Sequence, residues 1–286
     1  MRQSLIVLCL AVALVTSPGS VAARSQLSAA TDGQRPAEAN PGTQEFSGPI
    51  QLFDDLYYVG TDFVSAYVLV TSDGLVMFDS LYNQFTAEAL EAMEEIGLDP
   101  QRIRYVIVTH GHNDHFGGAT QIQELSGARV AMTAPDWAMA GQSGIATPAP
   151  GGNIVISDGA SLTIGNTTLN FYVTPGHTPG VASTEFRVHD GRREHKAFLF
   201  GGHNVTSNQA DAFEMFIDSV ERLQRDLSDI DVSLTSHPWA ALIFQRAELL
   251  RSRASGEPHP FVDPEDFEAF LAERLENAQT RLAAVQ

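Results

Sequence analysis

Cysteine is all but missing from this chain. The single one, Cys9, lies inside the N-terminal apolar run, so the rest of the sequence offers neither disulfides nor thiolate ligands. Any transition metal must then be held by His, Asp or Glu. Basic residues are also scarce: 17 Lys and Arg face 35 Asp and Glu, a formal net charge of -18. Binding to a phosphate backbone by counterion release would work against that field, so nucleic acid is not an expected partner. Long apolar runs are lacking too, because the stretch from Leu5 to Val15 is far short of the roughly 20 residues that span a bilayer. What remains, 43% hydrophobic and 18% charged residues, is the composition of a globular protein with a substantial core.

The N-terminal run has its own logic. Arg2, the apolar stretch, a breaker at Pro18-Gly19 and the small residues Ser20-Val21-Ala22-Ala23 together read as an export signal over residues 1–23. A periplasmic or secreted protein is expected, with no membrane insertion once the signal is removed, and a cysteine-free mature chain suits an oxidising compartment. Residues 24–46 are rich in Ser, Ala, Gly, Pro, Gln and Asn without apolar periodicity, which predicts a flexible tether ahead of one domain over residues 47–286.

Within that domain, strand-like runs at 56–59, 65–70 and 75–78 open the fold, followed by helical spacing over 86–96 and a continuously apolar strand at 105–108. A helix over 114–125 and a strand at 129–132 come next. Strands at 154–156, 161–164 and 168–173 are separated by Asp158-Gly159 and Gly165-Asn166, both read as hairpin turns. Further strands (181–188, 196–200, 232–235) and helices (212–227, 240–253, 264–284) complete an α/β pattern of strands with helices, twice over. Two sheets packed face to face with helices outside would bury such strands.

The informative segment is Thr109-His110-Gly111-His112-Asn113-Asp114-His115, where a buried strand delivers three histidines and an aspartate into one loop. Asn113 is placed to cap the helix that follows. Three adjacent imidazoles are costly to bury unpaired and repel one another when protonated, and a divalent metal resolves both problems. His110 and His112, two apart in extended chain, point the same way, while Asp114 and His115 lie where the chain turns into a helix and aim elsewhere. One motif can thus serve two metals. Further donors stand at strand ends: His177 in Pro175-Gly176-His177-Thr178-Pro179-Gly180, and His237 in Ser236-His237-Pro238. His189, His195 and His259 lie among charged or turn residues and read as surface.

His-x-His-x-Asp-His, then Pro-Gly-His-Thr-Pro-Gly, then Ser-His-Pro, at these intervals between about Leu56 and Trp239, resembles the metallo-β-lactamase superfamily. The likeness is greatest to the third, cysteine-free subclass of class B β-lactamases and related metallo-hydrolases. It implies an αββα sandwich of two mixed sheets flanked by helices, and two Zn2+ ions, one on His110, His112 and His177 and one on Asp114, His115 and His237. Asp79 matches the structural Asp beneath the metal loop.

The pattern departs after Phe200, where Gly201-Gly202-His203-Asn204-Val205 replaces the bridging Asp of glyoxalase-like thioesterases and many lactonases. Gly202 cannot bridge metals. His203 and Val205 fall where the cysteine-free lactamases carry serines that bind the substrate carboxylate. Three roles stay open for His203: binding that carboxylate as imidazolium, approaching the second zinc, or packing. A monomer acting on a small molecule is expected, with hydrolysis that needs no protein nucleophile and with Asp114 orienting a zinc-activated water. Its first expected substrate is a β-lactam; the alternatives are a lactone or other ester, or a zinc-binding protein without turnover. Trp137, residues 141–152 and Trp239 are expected as pocket walls.

Overall fold

Alternation along each strand divides the apolar residues between faces, and the computed structural model, which describes residues 44–149 and 152–286, shows where each face goes. The described residues belong to one compact unit. The export signal, Cys9 and the tether as far as residue 43 lie outside them. Residues 44–46, assigned to the tether, already hold to the fold: Phe46 bridges to Thr61, and the Glu45 amide donates to Asp62 Oδ1 at 3.0 Å.

The first sheet has seven strands in sequence order: β1 (Ile50–Gln51), β2 (Leu56–Tyr58), β3 (Tyr67–Thr71), β4 (Gly74–Phe78), β5 (Ile103–Ile107), β6 (Arg129–Thr133) and β7 (Ile154–Ile156). Pairing is antiparallel as far as β4 and parallel from β4 to β7. The second sheet runs β12 (Val232–Thr235), β11 (Arg193–Phe200), β10 (Ala182–Asp190), β9 (Thr167–Val173) and β8 (Ser161–Ile164), parallel only between β11 and β12. Gly165-Asn166 is a hairpin turn, as expected. Asp158-Gly159 is not: β7 ends the first sheet and β8 opens the second, so this turn carries the chain across the sandwich.

Leu69, Val76 and Phe78 of the first sheet meet Phe171, Phe186 and Leu199 of the second in the central core, with Phe78 stacked on Phe186 at 4.9 Å. The alternate residues Val68 and Met77 face outward under helix α1 (Asn83–Glu95), against Ala89 and Met93. On the far side Phe198 and Phe200 pack under α5 (Ala210–Asp226) and α7 (Pro264–Val285), against Phe213, Phe216 and Phe267. Burying one such phenylalanine contributes roughly 1.5–3 kcal/mol. The result is the αββα sandwich that the resemblance implied.

Two helices differ from the sequence reading. The one expected over 114–125 is broken into α2 (Asn113–Phe116) and α3 (Ala119–Ser126) by Gly117-Gly118. A Cβ on Gly118 would come within 1.9 Å of Thr86 Oγ1 in α1 and 2.5 Å of the Ser80 carbonyl oxygen, so close approach to α1 and the loop before it, not helix propensity, decides this stretch. A helix absent from the sequence reading, α4 (Ala134–Gln142), follows β6 directly. The remaining helix, α6 (Ile243–Ser252), lies near its expected place, and no helix among the described residues is long and apolar enough to cross a membrane.

Candidate metal centre and active-site cleft

Strand ends deliver the site. β4 and β5 run parallel with Phe78 opposite Ile107, so Asp79 and the segment 108–112 emerge side by side. Asp79 adopts a left-handed backbone, φ 56°, which turns its carboxylate under the loop. There it accepts the Thr109 amide at 2.7 Å, the Thr109 hydroxyl at 2.9 Å and His115 Nδ1 at 2.7 Å. His112 is the N-cap of α2 by backbone, and Asn113, expected to cap, is the first helical residue and lines the cleft instead.

Two sets of three donor atoms converge. His110, His112 and His177 each present a ring nitrogen with all three within 4.8 Å of one another, and Asp114, His115 and His237 do the same. Tautomers decide whether a cation fits. His110 Nδ1 faces the Gly201 carbonyl at 3.0 Å, and His177 Nδ1 faces the Asn204 carbonyl at 2.7 Å. A carbonyl only accepts, so both neutral rings carry their proton on Nδ1 and present a lone pair at Nε2. Those two Nε2 atoms lie 3.1 Å apart, with His112 Nδ1 3.2 Å from the His177 atom. Lone pairs turned on one another repel, and a cation between them removes the conflict. The donor set fits a zinc ion.

In the second group His237 Nδ1 donates to the Phe63 carbonyl at 2.6 Å, which puts its lone pair on Nε2. His115 Nε2 is 3.3 Å from Asp114 Oδ2 and has no hydrogen-bond partner. Burial by itself would lower the His115 pKa, yet Asp114 and Asp79 on either side lift it to about 10 in the metal-free protein. Burial pushes His177 down to about 3, with His112 adding to the effect, and pushes His110 well below its usual value. Asp114 is lowered despite burial, because His115 and His237 favour its charged form.

A cleft of about 770 Å³ opens onto His112 and Asp114, walled by Tyr82, Pro135, Met139 and Gln142 among others. Its outer wall is α4. Trp137, expected as a wall, instead donates its indole N–H to the Ile154 carbonyl at 3.1 Å and packs on the outer core. Ser143 lines the cleft from the segment 141–152, whose residues 150 and 151 lie outside the described ones. Trp239 packs edge-on against His203, ring centroids 4.6 Å apart.

His203 itself is buried with neither ring nitrogen hydrogen-bonded, its ring 5.3 Å from that of His237. Burial holds its pKa well below the usual histidine value, so in the metal-free protein it is neutral, against the imidazolium role. Gly202 leaves no room for a side chain: a Cβ there would come within 2.7 Å of His177 Cβ. Of the three histidines read as surface, His259 is buried and stacked on Phe53 at 4.3 Å, and His195 is largely enclosed nearby. His189 is half exposed and bonded to Asp55 at 2.6 Å. Turn-like sequence around 259 gave no sign of the aromatic contact.

The sequence profile of the metallo-β-lactamase superfamily matches residues 59–190. The structure of BJP-1, a subclass B3 metallo-β-lactamase of Bradyrhizobium japonicum, superposes with a TM-score of 0.74 and 28% identity, covering 83% of this chain and 94% of that one. The chain belongs to the metallo-β-lactamase superfamily. The Rm3 metallo-β-lactamase gives the same TM-score and coverage at 25% identity. Two curated superfamily relatives match in part. A type 2 metallo-β-lactamase of Bacillus sp. (strain 170) is 37% identical over 39% of this chain and 41% of its own. A hydroxyacylglutathione hydrolase of Acidiphilium cryptum is 33% identical over 33% of this chain and 34% of its own. The chain thus spans well under half the length of these relatives. Superfamily membership leaves both the activity and the substrate to be argued from the site.

Proposed function

We propose that this chain is an exported, monomeric zinc hydrolase that opens the amide of a β-lactam ring. The observation that carries the reading is the pair of three-donor groups without a bridging carboxylate, since Gly202 stands against His177 where a bridging side chain would have to fit. The likeness to the BJP-1 lactamase over 94% of its length supports the same reading.

His110, His112 and His177 would hold one zinc ion, and Asp114, His115 and His237 the other. When bound, zinc lowers the pKa of a coordinated water toward about 7 and polarises a carbonyl. The protein does the rest. Carbonyl partners at Gly201, Asn204 and Phe63 fix the histidine tautomers, and Asp79 holds His115. Asp114, which lines the cleft, orients the attacking water through its carboxylate. Tyr82, Pro135 and Met139 supply the apolar walls against which a substrate ring or side chain rests.

A second reading, a lactone or other ester as substrate, is favoured by one observation. The carboxylate-binding serines expected of a cysteine-free lactamase are replaced by a buried, neutral His203 and by Val205. The partial likeness to hydroxyacylglutathione hydrolase is in keeping with ester chemistry. Hydrolysis of a chromogenic cephalosporin and a carbapenem by the zinc-loaded protein, beside a lactone panel and with and without chelator, separates the two. Chelator-sensitive turnover of the β-lactams supports the first reading; turnover confined to lactones replaces it with the second. Two bound zinc ions with no turnover would leave a zinc-binding protein.

A further inference from the structure

Beside the first histidine group lies a carboxylate that belongs to neither set of donors. Asp136 stands in the first turn of α4 and is wholly excluded from solvent. Its Oδ2 accepts the Thr178 hydroxyl at 2.8 Å, while Oδ1 is buried without a hydrogen bond of its own and the backbone amides of Gly111 and Gly180 lie close enough to favour the charged carboxylate. Gly111 separates His110 from His112, and Thr178 and Gly180 follow His177. Thr133, the N-cap of α4, adds a bond from its hydroxyl to the Gly180 carbonyl at 2.5 Å.

The contact is close enough to dictate sequence. A Cβ on Gly111 would lie 2.7 Å from the Asp136 carbonyl oxygen, and one on Gly180 would lie 2.2 Å from Thr133 Oγ1 and 3.2 Å from Asp136 Cγ. Both motif glycines are therefore required by this corner, not by a metal. On the opposite side, the loop carrying His110 and the loop carrying His177 are joined through Gly201 and Asn204. Asp136 closes the circuit. A buried carboxylate costs several kcal/mol unless donors surround it, and here burial lifts its pKa to about 6 while Thr178, Gly111 and Gly180 hold it down. An amide in its place has one oxygen for the Thr178 hydroxyl and lacks the negative charge that the Gly111 and Gly180 amides favour.

We infer that Asp136 is a positioning residue: an anionic pin, outside the donor sets, that fixes the spacing between the His110–His112 loop and the His177 loop and so sets the metal affinity of that group alone. The inference rests on the reading of those three histidines as metal ligands.

The test uses metal-free full-length protein titrated with zinc against a chromogenic chelator, and with cobalt(II) followed by its visible absorption. His112→Ala marks which of the two equivalents belongs to the first group. Asp136→Asn should weaken that equivalent about 10- to 100-fold, the usual effect of removing an outer partner, and leave the other within about twofold. Thr178→Val should weaken the same equivalent, and Thr178→Ser should restore it. If Asp136→Asn does not fold, Thr178→Val, which removes one hydroxyl, carries the test. Wild-type affinity in both variants, or equal weakening of both equivalents in step with a fall in melting temperature, overturns the inference. A wild-type protein that takes up neither zinc nor cobalt overturns the metal reading itself, and the inference with it.

Discussion

Asp79 holds His115 from beneath, its Oδ2 2.7 Å from the imidazole Nδ1, while the same carboxylate accepts both the amide and the hydroxyl of Thr109. One buried side chain thus fixes the ring orientation of a donor in one group and the backbone that leads to His110 in the other. An asparagine has one oxygen for these three donors. Asp79→Asn is expected to lower zinc affinity at the Asp114 group about 10- to 100-fold and to destabilise the fold by about 1–3 kcal/mol through unmatched buried donors. Chelator competition and urea unfolding measure the two effects; unchanged affinity would remove Asp79 from the metal site's support.

Stability of the metal-free protein should fall as pH falls from neutrality. Burial holds His177 at about 3 and His259 at about 4, and His110 and His203 well below the usual value. An unfolded chain takes up these protons near 6.5. Between roughly pH 6.5 and 3 the unfolded state therefore binds more protons, and acid favours it. His115 acts on the other side: burial opposes its charge, but Asp114 and Asp79 raise it to about 10, so its contribution is complete below about 6.5 and is lost as pH rises through 10. Melting temperatures of chelated protein across the range test this, and a constant value on acidification would refute it.

Gly202 is expected to resist the acid that related thioesterases carry there. With only 2.7 Å between its would-be Cβ and His177 Cβ, Gly202→Asp must displace His177. The variant should lose affinity at the first metal group and gain no thioesterase activity, and Gly202→Ala should show the same metal loss in milder form. A Gly202→Asp protein with two tightly bound zinc ions and new turnover of a glutathione thioester would show that the loop yields.

His203→Ala should lower the melting temperature through lost packing against Trp239 and His237, on the scale of about 2–5 kcal/mol for truncating a large buried side chain. Both zinc equivalents should remain. Loss of one equivalent, read by metal analysis, would instead make His203 a ligand, and a raised KM for anionic substrates alone would make it a carboxylate partner.

The donors were legible because their signals are local: a strand running into His110 to His115, and glycines and prolines around His177. What the sequence hid is tertiary. Asp158-Gly159 has the chemistry of a hairpin turn, and only the packing of β7 and β8 into different sheets makes it a crossing. The interval 114–125 has helical spacing, but close approach to Ser80 and Thr86 requires Gly118 and breaks the helix. Thr133-Ala134-Pro135-Asp136 does carry a helix-start signature, with a capping threonine and an early proline, and could have disclosed α4. Nothing local marks Asp136 as buried, since its partners lie far along the chain at Gly111, Thr178 and Gly180.

The chain passes from the first sheet to the second at Asp158-Gly159, and His110, His112, Asp114 and His115 precede that passage while His177 and His237 follow it. Each group of three therefore draws on both halves, and an ion bound in either would lash them together like a rivet through two plates. Without such an ion the halves would part more readily and expose more of the chain to proteases. Metal supply would then bear on how long the protein survives as well as on the chemistry proposed for it.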